Sequence, residues 1–117
     1  MRKLALVGLF LAFFSTPASA AFYSGTDLAF PYLADYKSYT GGEKDPKTGM
    51  NAVFFAAYVL GAADAGDGVG YSIPPDVKSG QVIAIVVKWM EEHPGEWNHS
   101  ADTMVWSALR EQFPKKP

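Results

Sequence analysis

The segment that most constrains this chain is residues 51–65, because it is apolar on nearly every side of a helix. A helix on the surface of a domain normally keeps a polar face, so a helix without one is typical of the interior. Small residues along it would let neighbouring helices approach closely, and these are Ala56, Ala57, Gly61 and Ala62. The segment therefore predicts a central helix surrounded by others.

Two of the three remaining apolar segments have clear helical spacing. Residues 26–39 form the first, where Ser24 or Thr26 is the expected N-cap and Pro31 predicts a kink or a restart. The last segment, residues 98–113, places its apolar side chains on one stripe and is stopped by Pro114. Both therefore predict amphipathic helices.

The third segment, residues 79–93, leaves a choice between helix and strand. Its run at 82–87 is rich in β-branched residues, which favours a buried strand. The complete segment is too long for an ordinary strand, Ser79 can cap its start, and Pro94-Gly95 ends it. We therefore favour a helix. Together the four segments predict an all-α, small four-helix (or four-to-five-helix) bundle formed by residues 21–117, with loops at residues 41–49 and 66–70.

The first twenty residues have the pattern of a cleavable signal peptide. Arg2 and Lys3 precede an apolar run of eleven residues, and Ala18-Ser19-Ala20 fits the small-x-small cleavage rule. This run is shorter than the roughly 20 residues that a membrane-spanning helix needs. We therefore expect export to the periplasm and cleavage after Ala20, leaving a soluble mature domain that is not bound to the membrane.

Charge and cysteine content exclude several classes of protein. Without Arg2 and Lys3 the chain has 8 basic and 12 acidic residues, a net charge of −4, and the basic residues are scattered. This distribution gives no support to nucleic-acid binding. The chain contains no cysteine, so it has no disulfides, no thiol nucleophile and no lipid-modified cysteine. The aromatic residues are the expected source of core stability instead.

No combination of residues predicts catalysis, a cofactor or a metal. The segment at 64–68 has glycines where a calcium loop needs oxygen ligands, and His93 and His99 lack the spacing of a helical zinc site. Glu91 and Glu92 are adjacent and resemble a solvated helix end, not an acid/base pair. The serines lie in no nucleophile motif. We therefore expect a protein that is not an enzyme.

Two loops are candidates for binding a partner. One is the corner between the third and fourth helices, where Asn98 or Ser100 would cap the fourth helix. Its Trp97 either anchors an interface or folds back over the core, and both readings stay open. The other is the glycine-rich loop after residue 65, and the two loops could lie close together in a bundle. The candidate residues are Asp67, Tyr71, Glu96, Trp97, Asn98 and His99.

The order of several short motifs resembles the Rap/Tai family of periplasmic immunity proteins associated with type VI secretion in Gram-negative bacteria. The pieces in the second half of the chain are Ile73-Pro74, Val77, Gly80-Gln81, Val86-Val87-Lys88-Trp89-Met90, His93-Pro94, Ala101, Ala108-Leu109 and Phe113-Pro114. Further pieces upstream are Phe22, Ser24-Gly25, Leu28, Tyr58-Val59, Gly61 and Asp64. The resemblance covers nearly the whole mature chain.

This resemblance implies an exported, mostly helical protein without catalysis that binds and blocks a peptidoglycan-cleaving amidase toxin. It also implies homodimers for several members. The family commonly has cysteines where this chain has Leu33 or Ala34, Phe55, Ser72 and Lys115. Because all are absent together, whole bridges are missing, and we expect packing of Phe54, Phe55 and Trp106 to compensate.

Two other functions compete with toxin binding. An acid-stress or general periplasmic chaperone would expose apolar surface when its carboxylates are protonated, and the twelve acidic residues would allow this. An enzyme accessory or small-ligand binder would use the aromatic surface. Toxin binding predicts one tight partner, whereas a chaperone predicts acid-dependent suppression of aggregation.

Overall fold

The computed structural model describes residues 22–116, and in this part of the chain the architecture is all-α. Its helices are α1 (Ala34–Thr40), α2 (Pro46–Gly66), α3 (Ser79–Glu92) and α4 (Ala101–Gln112). A helical turn at Gly25–Asp27 and a π-type segment at Leu28–Leu33 lead into α1, and a 3₁₀ turn at Pro94–Glu96 separates α3 from α4. Isolated β-bridges occur between residues 22 and 116, but no strand does. The all-α prediction is confirmed.

One continuous core lies among the four helices. α3 and α4 each present one stripe of buried apolar side chains, and α2 contributes the residues that lie between them. The largest fully buried side chains of the core are Tyr71, Phe55, Leu28, Met90, Met104, Leu109, Val59, Val86 and Val105. None of the buried residues is charged within the described part of the chain, so burial of apolar area is the main stabilising term.

The first helical segment is interrupted where Pro31 predicted an interruption. Ser24 is the N-cap: its Oγ accepts a hydrogen bond from the N–H of Asp27 at 3.1 Å, and its own N–H donates to the Asp27 carboxylate at 3.0 Å. Phe30 has φ −133° and ψ 119°, an extended conformation that is usual for a residue before proline. The chain returns to α-helix at Ala34.

The helix α2 begins earlier than predicted and is less buried. It starts at Pro46 because Asp45 is the N-cap and accepts from the N–H of Thr48 at 3.3 Å, while Pro46 suits the first helical position. The predicted loop therefore ends at residue 45. The expectation of burial on every side is wrong, since Met50 and Val53 are 74% and 68% exposed.

The third segment is a helix, so the strand alternative at residues 82–87 is wrong. Its N-cap is Lys78, not Ser79, and the N–H of Lys78 donates to the side-chain oxygen of Gln81 at 2.7 Å. The fourth helix begins at Ala101, with Ser100 at the N-cap position. The Ser100 hydroxyl lies 2.6 Å from the hydroxyl of Thr103, so it contacts a side chain and caps no backbone N–H.

The three aromatic residues expected to compensate for missing disulfides all pack against other rings. Phe55 is fully buried, and its ring centroid is 5.2 Å from that of Tyr36. Phe54 and Trp106 are half-buried and pack against Tyr32 and Tyr71, with centroids 4.2 and 5.9 Å apart. Phe55, which stands where the resemblance implies a cysteine, is thus a central core residue.

The predicted signal peptide and its cleavage site lie outside the described residues. Between residues 22 and 116, no helix combines the length and apolar character needed to cross a membrane.

Candidate partner-binding surface

The corner between α3 and α4 is held in place by the beginning of the described chain. The N–H groups of Gly25 and Thr26 donate to the carbonyl oxygens of His99 and Trp97, both at 2.8 Å. The N–H of Ala101 donates to the carbonyl of Tyr23 at 2.9 Å. These backbone hydrogen bonds fix the corner against a segment more than 70 residues away in sequence.

Gly25 is required by the closeness of this approach. A Cβ atom at this position would lie 2.1 Å from the sulfur of Met104 and 2.8 Å from Cα of Trp97. Since the Trp97 atom belongs to the backbone, it cannot rotate away. The absence of a side chain at Gly25 therefore lets the corner pack against the N-terminal turn.

The side chain of Trp97 folds back towards the core, which was one of the two alternatives left open by the sequence. Its indole Nε1–H donates to the carbonyl of Met90 at 2.9 Å, and its side chain is half-buried. The exposed ring of Phe30 packs against it edge-on, with centroids 5.7 Å apart. The Trp97 side chain therefore joins the corner to the end of α3, and only part of its ring is accessible.

The outer side of the corner is polar and accessible. Glu96, Asn98 and His99 are all exposed. A carboxylate oxygen of Glu96 lies 3.1 Å from Nε2 of His99, an ion pair when the imidazole is protonated. Both side chains are about half exposed, so water screens this pair and it adds little stability. Because Glu96 and His99 are exposed, both side chains are free to contact a partner.

An apolar cleft adjoins the corner, and sequence analysis did not identify it. It has a volume of about 370 Å³, near the lower end of the roughly 300–1,000 Å³ typical of ligand pockets. Its wall contains Leu33 and Pro94, with the Phe30–Trp97 ring pair at one side and the Lys37–Glu91 ion pair also lining it. An apolar cleft bordered by charges fits an apolar side chain flanked by polar groups.

The position of Phe30 directly before Pro31 was the signal available in the sequence for this cleft. A residue before proline is directed away from helical geometry, so its side chain need not follow the apolar stripe. Phe30 is 62% exposed as a result. Lys37 and Glu91 are 54 residues apart, and nothing in their local sequence indicates that they meet.

The glycine-rich loop is mainly structural. Tyr71 is fully buried, and its hydroxyl donates to the carbonyl of Ala63 at 2.8 Å. Burial, followed by the nearby carboxylates of Asp67 and Asp64, raises the pKa of Tyr71 to about 12. Asp67 is exposed, but its carboxylate accepts from the N–H of Ile73 at 2.9 Å and so fixes the loop. Because Tyr71 is buried, it cannot be an exposed contact for a partner.

The structure does not bring the two candidate loops together. The corner precedes the N-terminus of α4, whereas the glycine loop lies beside its C-terminus, where the N–H of Ser72 donates to the carbonyl of Phe113 at 3.1 Å. A helix of 12 residues is about 18 Å long. Residues 95–99 and residues 67–71 therefore lie at opposite ends of the domain.

The remaining polar groups considered in the sequence have local structural roles. The ring of His93 stacks on Trp89 at 4.1 Å, and its Nδ1 lies 2.7 Å from the carbonyl of Trp89. Glu91 pairs with Lys37. Among residues 22–116 there is no cluster of three or more side chains suited to holding a metal ion.

Comparison with known protein families gives a match over most of the chain. No curated protein matches the chain. The family described as Rap1a immunity proteins matches residues 24–114, which include all four helices and the corner. This match extends over well more than half of the chain. The protein therefore belongs to the Rap1a immunity protein family.

Proposed function

We propose that this protein acts in the periplasm, where it binds a peptidoglycan-cleaving amidase toxin and blocks its active-site groove. Membership of the Rap1a family makes it an immunity protein of type VI secretion. Beyond this family role, we propose the target, the cellular compartment, the absence of catalysis and the binding surface. It also includes self-association, since the resemblance to the Rap/Tai family implies homodimers for several members.

The observation that carries the proposal is the combination of a rigid corner and an open apolar cleft. Backbone hydrogen bonds from Gly25 and Thr26 fix the corner, so little conformational entropy is lost when a partner binds. Exposed Phe30 beside half-buried Trp97 gives an aromatic anchor, and aromatic anchors surrounded by polar residues are typical of interface hot spots. The polar border is provided by Glu96, Asn98 and His99.

Inhibition of this kind needs only surface complementarity. A protruding corner that enters an enzyme's groove excludes the substrate without any chemical step. The Lys37–Glu91 ion pair at the cleft gives charges of both signs, which would help to select one partner over others.

A peptidoglycan hydrolysis assay tests this function. Type VI amidase effectors from the same bacterium are incubated with purified peptidoglycan, with and without the immunity protein. We expect one effector to be inhibited at a near-stoichiometric ratio and lysozyme, a muramidase, to be unaffected. Failure to inhibit any amidase effector would refute the proposed target, and equal inhibition of lysozyme would refute specific recognition.

A further inference from the structure

The helix α2 exposes an apolar stripe that the domain itself does not cover. Met50 and Val53 are largely exposed, and Ala57 and Gly61 continue the stripe one and two turns further on. A Cβ atom built on Gly61 would meet nothing within 4 Å. No charged residue occurs between residues 48 and 63, although this face of the helix is accessible. Such a surface is typical of an interface, not of a solvated helix.

We infer that this stripe packs against the same stripe of a second copy, with the two α2 helices antiparallel. This inference rests on the self-association included in the proposed function and names its surface. A two-fold axis passing between residues 55 and 56 would place Met50 of one copy opposite Gly61 of the other. Ala57 would lie opposite Phe54 by the same symmetry. Met50 and Phe54 thus each meet a small residue, which allows close approach of the helices at these positions.

The charges at the two ends of α2 match this arrangement. Lys47 lies in the first turn and Asp64 in the last, and both are exposed. The same two-fold axis places Lys47 of one copy opposite Asp64 of the other. Neither side chain forms an ion pair with another residue in the described part of the chain.

These charges also have the opposite signs from those that stabilise an isolated helix. The helix dipole favours acidic side chains at the N-terminus and basic ones at the C-terminus. Lys47 and Asp64 reverse this preference at both ends of the same helix. Pairing with the other copy gives a reason for both positions that the single chain does not.

The interface would leave the toxin-binding surface accessible. The cleft and the corner contain residues of the first helical segment, α3 and the turn that follows it, and none from α2. A dimer would therefore present two corners. Since residues 47 and 64 are only about 26 Å apart along the helix, the buried area is small, and we expect a dissociation constant of about 1–100 µM.

Sedimentation velocity of the purified protein from about 1 to 100 µM tests the interface without any toxin. We expect wild type to dimerise and Ala57→Glu to raise the dissociation constant at least tenfold, because each copy places a carboxylate on the apolar stripe. Ala84→Glu is the matched control, since Ala84 is an exposed residue of α3. It should dimerise like wild type, and circular dichroism should show both variants folded.

Exchange of the end charges tests the antiparallel arrangement. Lys47→Glu and Asp64→Lys should each weaken the dimer, whereas the double variant should restore it, because opposite charges face each other again. The helix dipole favours both new residues, so unfolding would not explain weakening. A dimer that is insensitive to Ala57→Glu, or a double variant no better than the singles, would overturn the interface but leave self-association intact. A monomeric wild type would overturn both, while toxin inhibition is measured independently.

Discussion

The indole Nε1–H of Trp97 donates a hydrogen bond to the carbonyl oxygen of Met90, 2.9 Å away, near the C-terminal end of α3. The same carbonyl also accepts a hydrogen bond from the N–H of His93 at 3.2 Å, so two donors meet at the last turn of the helix. The indole ring also packs against the ring of Phe30, with an angle of 67° between the two planes. Trp97 thus contacts the last turn of α3 and also lines the cleft.

Trp97→Ala should reduce the free energy of unfolding by about 2–3 kcal/mol, somewhat less than the about 3–5 kcal/mol of a fully buried aromatic residue. The loss combines the buried apolar area of the ring with one of the two hydrogen bonds that the Met90 carbonyl accepts. Urea denaturation measures it, with Asn98→Ala as the control, which should stay within about 0.5 kcal/mol of wild type. A change at Trp97 as small as that at Asn98 would mean that Trp97 does not support the corner.

Phe55→Ala should cost about 3–5 kcal/mol of stability, because the ring is fully buried against Tyr36 and its removal leaves a cavity. Val69→Ala, at a position that is 62% exposed and lies outside α2, should cost less than about 1 kcal/mol. Chemical denaturation of both variants, with and without reductant, tests whether packing has replaced disulfides. Reductant should change nothing. A cost below about 1 kcal/mol at Phe55 would contradict the compensation argument.

Gly25→Ala should destabilise the protein by about 1–3 kcal/mol, the usual range for an added methyl group in a tightly packed site. The new Cβ would collide with the Trp97 backbone and push the corner away from the N-terminal turn. Gly95→Ala is the matched control, because its Cβ would meet nothing within 4 Å. Thermal unfolding compares the two, and equal melting temperatures would show that the close approach at Gly25 is absent.

Tyr71 should make the protein less stable at high pH. Its pKa is raised from 10.0 to about 12 in the folded state, whereas an unfolded tyrosine ionises near 10. The unfolded state therefore loses its proton first, and this contribution to stability is complete below pH 10 and lost as the pH rises towards 12. Tyr71→Phe should remove that part of the pH dependence and cost about 0.5–1.5 kcal/mol at neutral pH through the lost hydrogen bond to Ala63.

Denaturation curves of wild type and Tyr71→Phe, collected between neutral pH and about pH 12, test this pH dependence. The difference between wild type and Tyr71→Phe isolates Tyr71 from the other tyrosines and lysines. A difference that does not shrink above pH 10 would contradict the burial of the hydroxyl.

The helices could be predicted from sequence because their periodicity is local. Apolar spacing located α4 and the segment leading into α1, length and end signals favoured a helix for α3, and Pro31 marked the interruption near Phe30. The start of α2 was placed too late, because residues 46–49 contain proline and glycine and were read as part of a loop. Asp45-Pro46 is also a signal for the start of a helix.

The site was less predictable because it depends on contacts between distant segments. The corner was correctly placed between two helices, but the direction of Trp97 depends on Met90 and Phe30, which periodicity does not bring together. Tyr71 was read as exposed because it follows glycines, yet Gly66 leaves room for its ring in the core. A Cβ at Gly66 would lie 2.4 Å from the Tyr71 hydroxyl.

Calorimetric titration with the inhibited amidase tests the central claim, that the corner and its cleft bind the toxin. Phe30→Ala is compared with Val69→Ala, because both side chains are 62% exposed but Val69 belongs to the glycine loop at the other end of α4. We expect Phe30→Ala to weaken binding at least tenfold, which corresponds to about 1.4 kcal/mol, with Val69→Ala unchanged. Unchanged binding by Phe30→Ala together with a loss in Val69→Ala would contradict the account and assign the toxin to the opposite end of the domain.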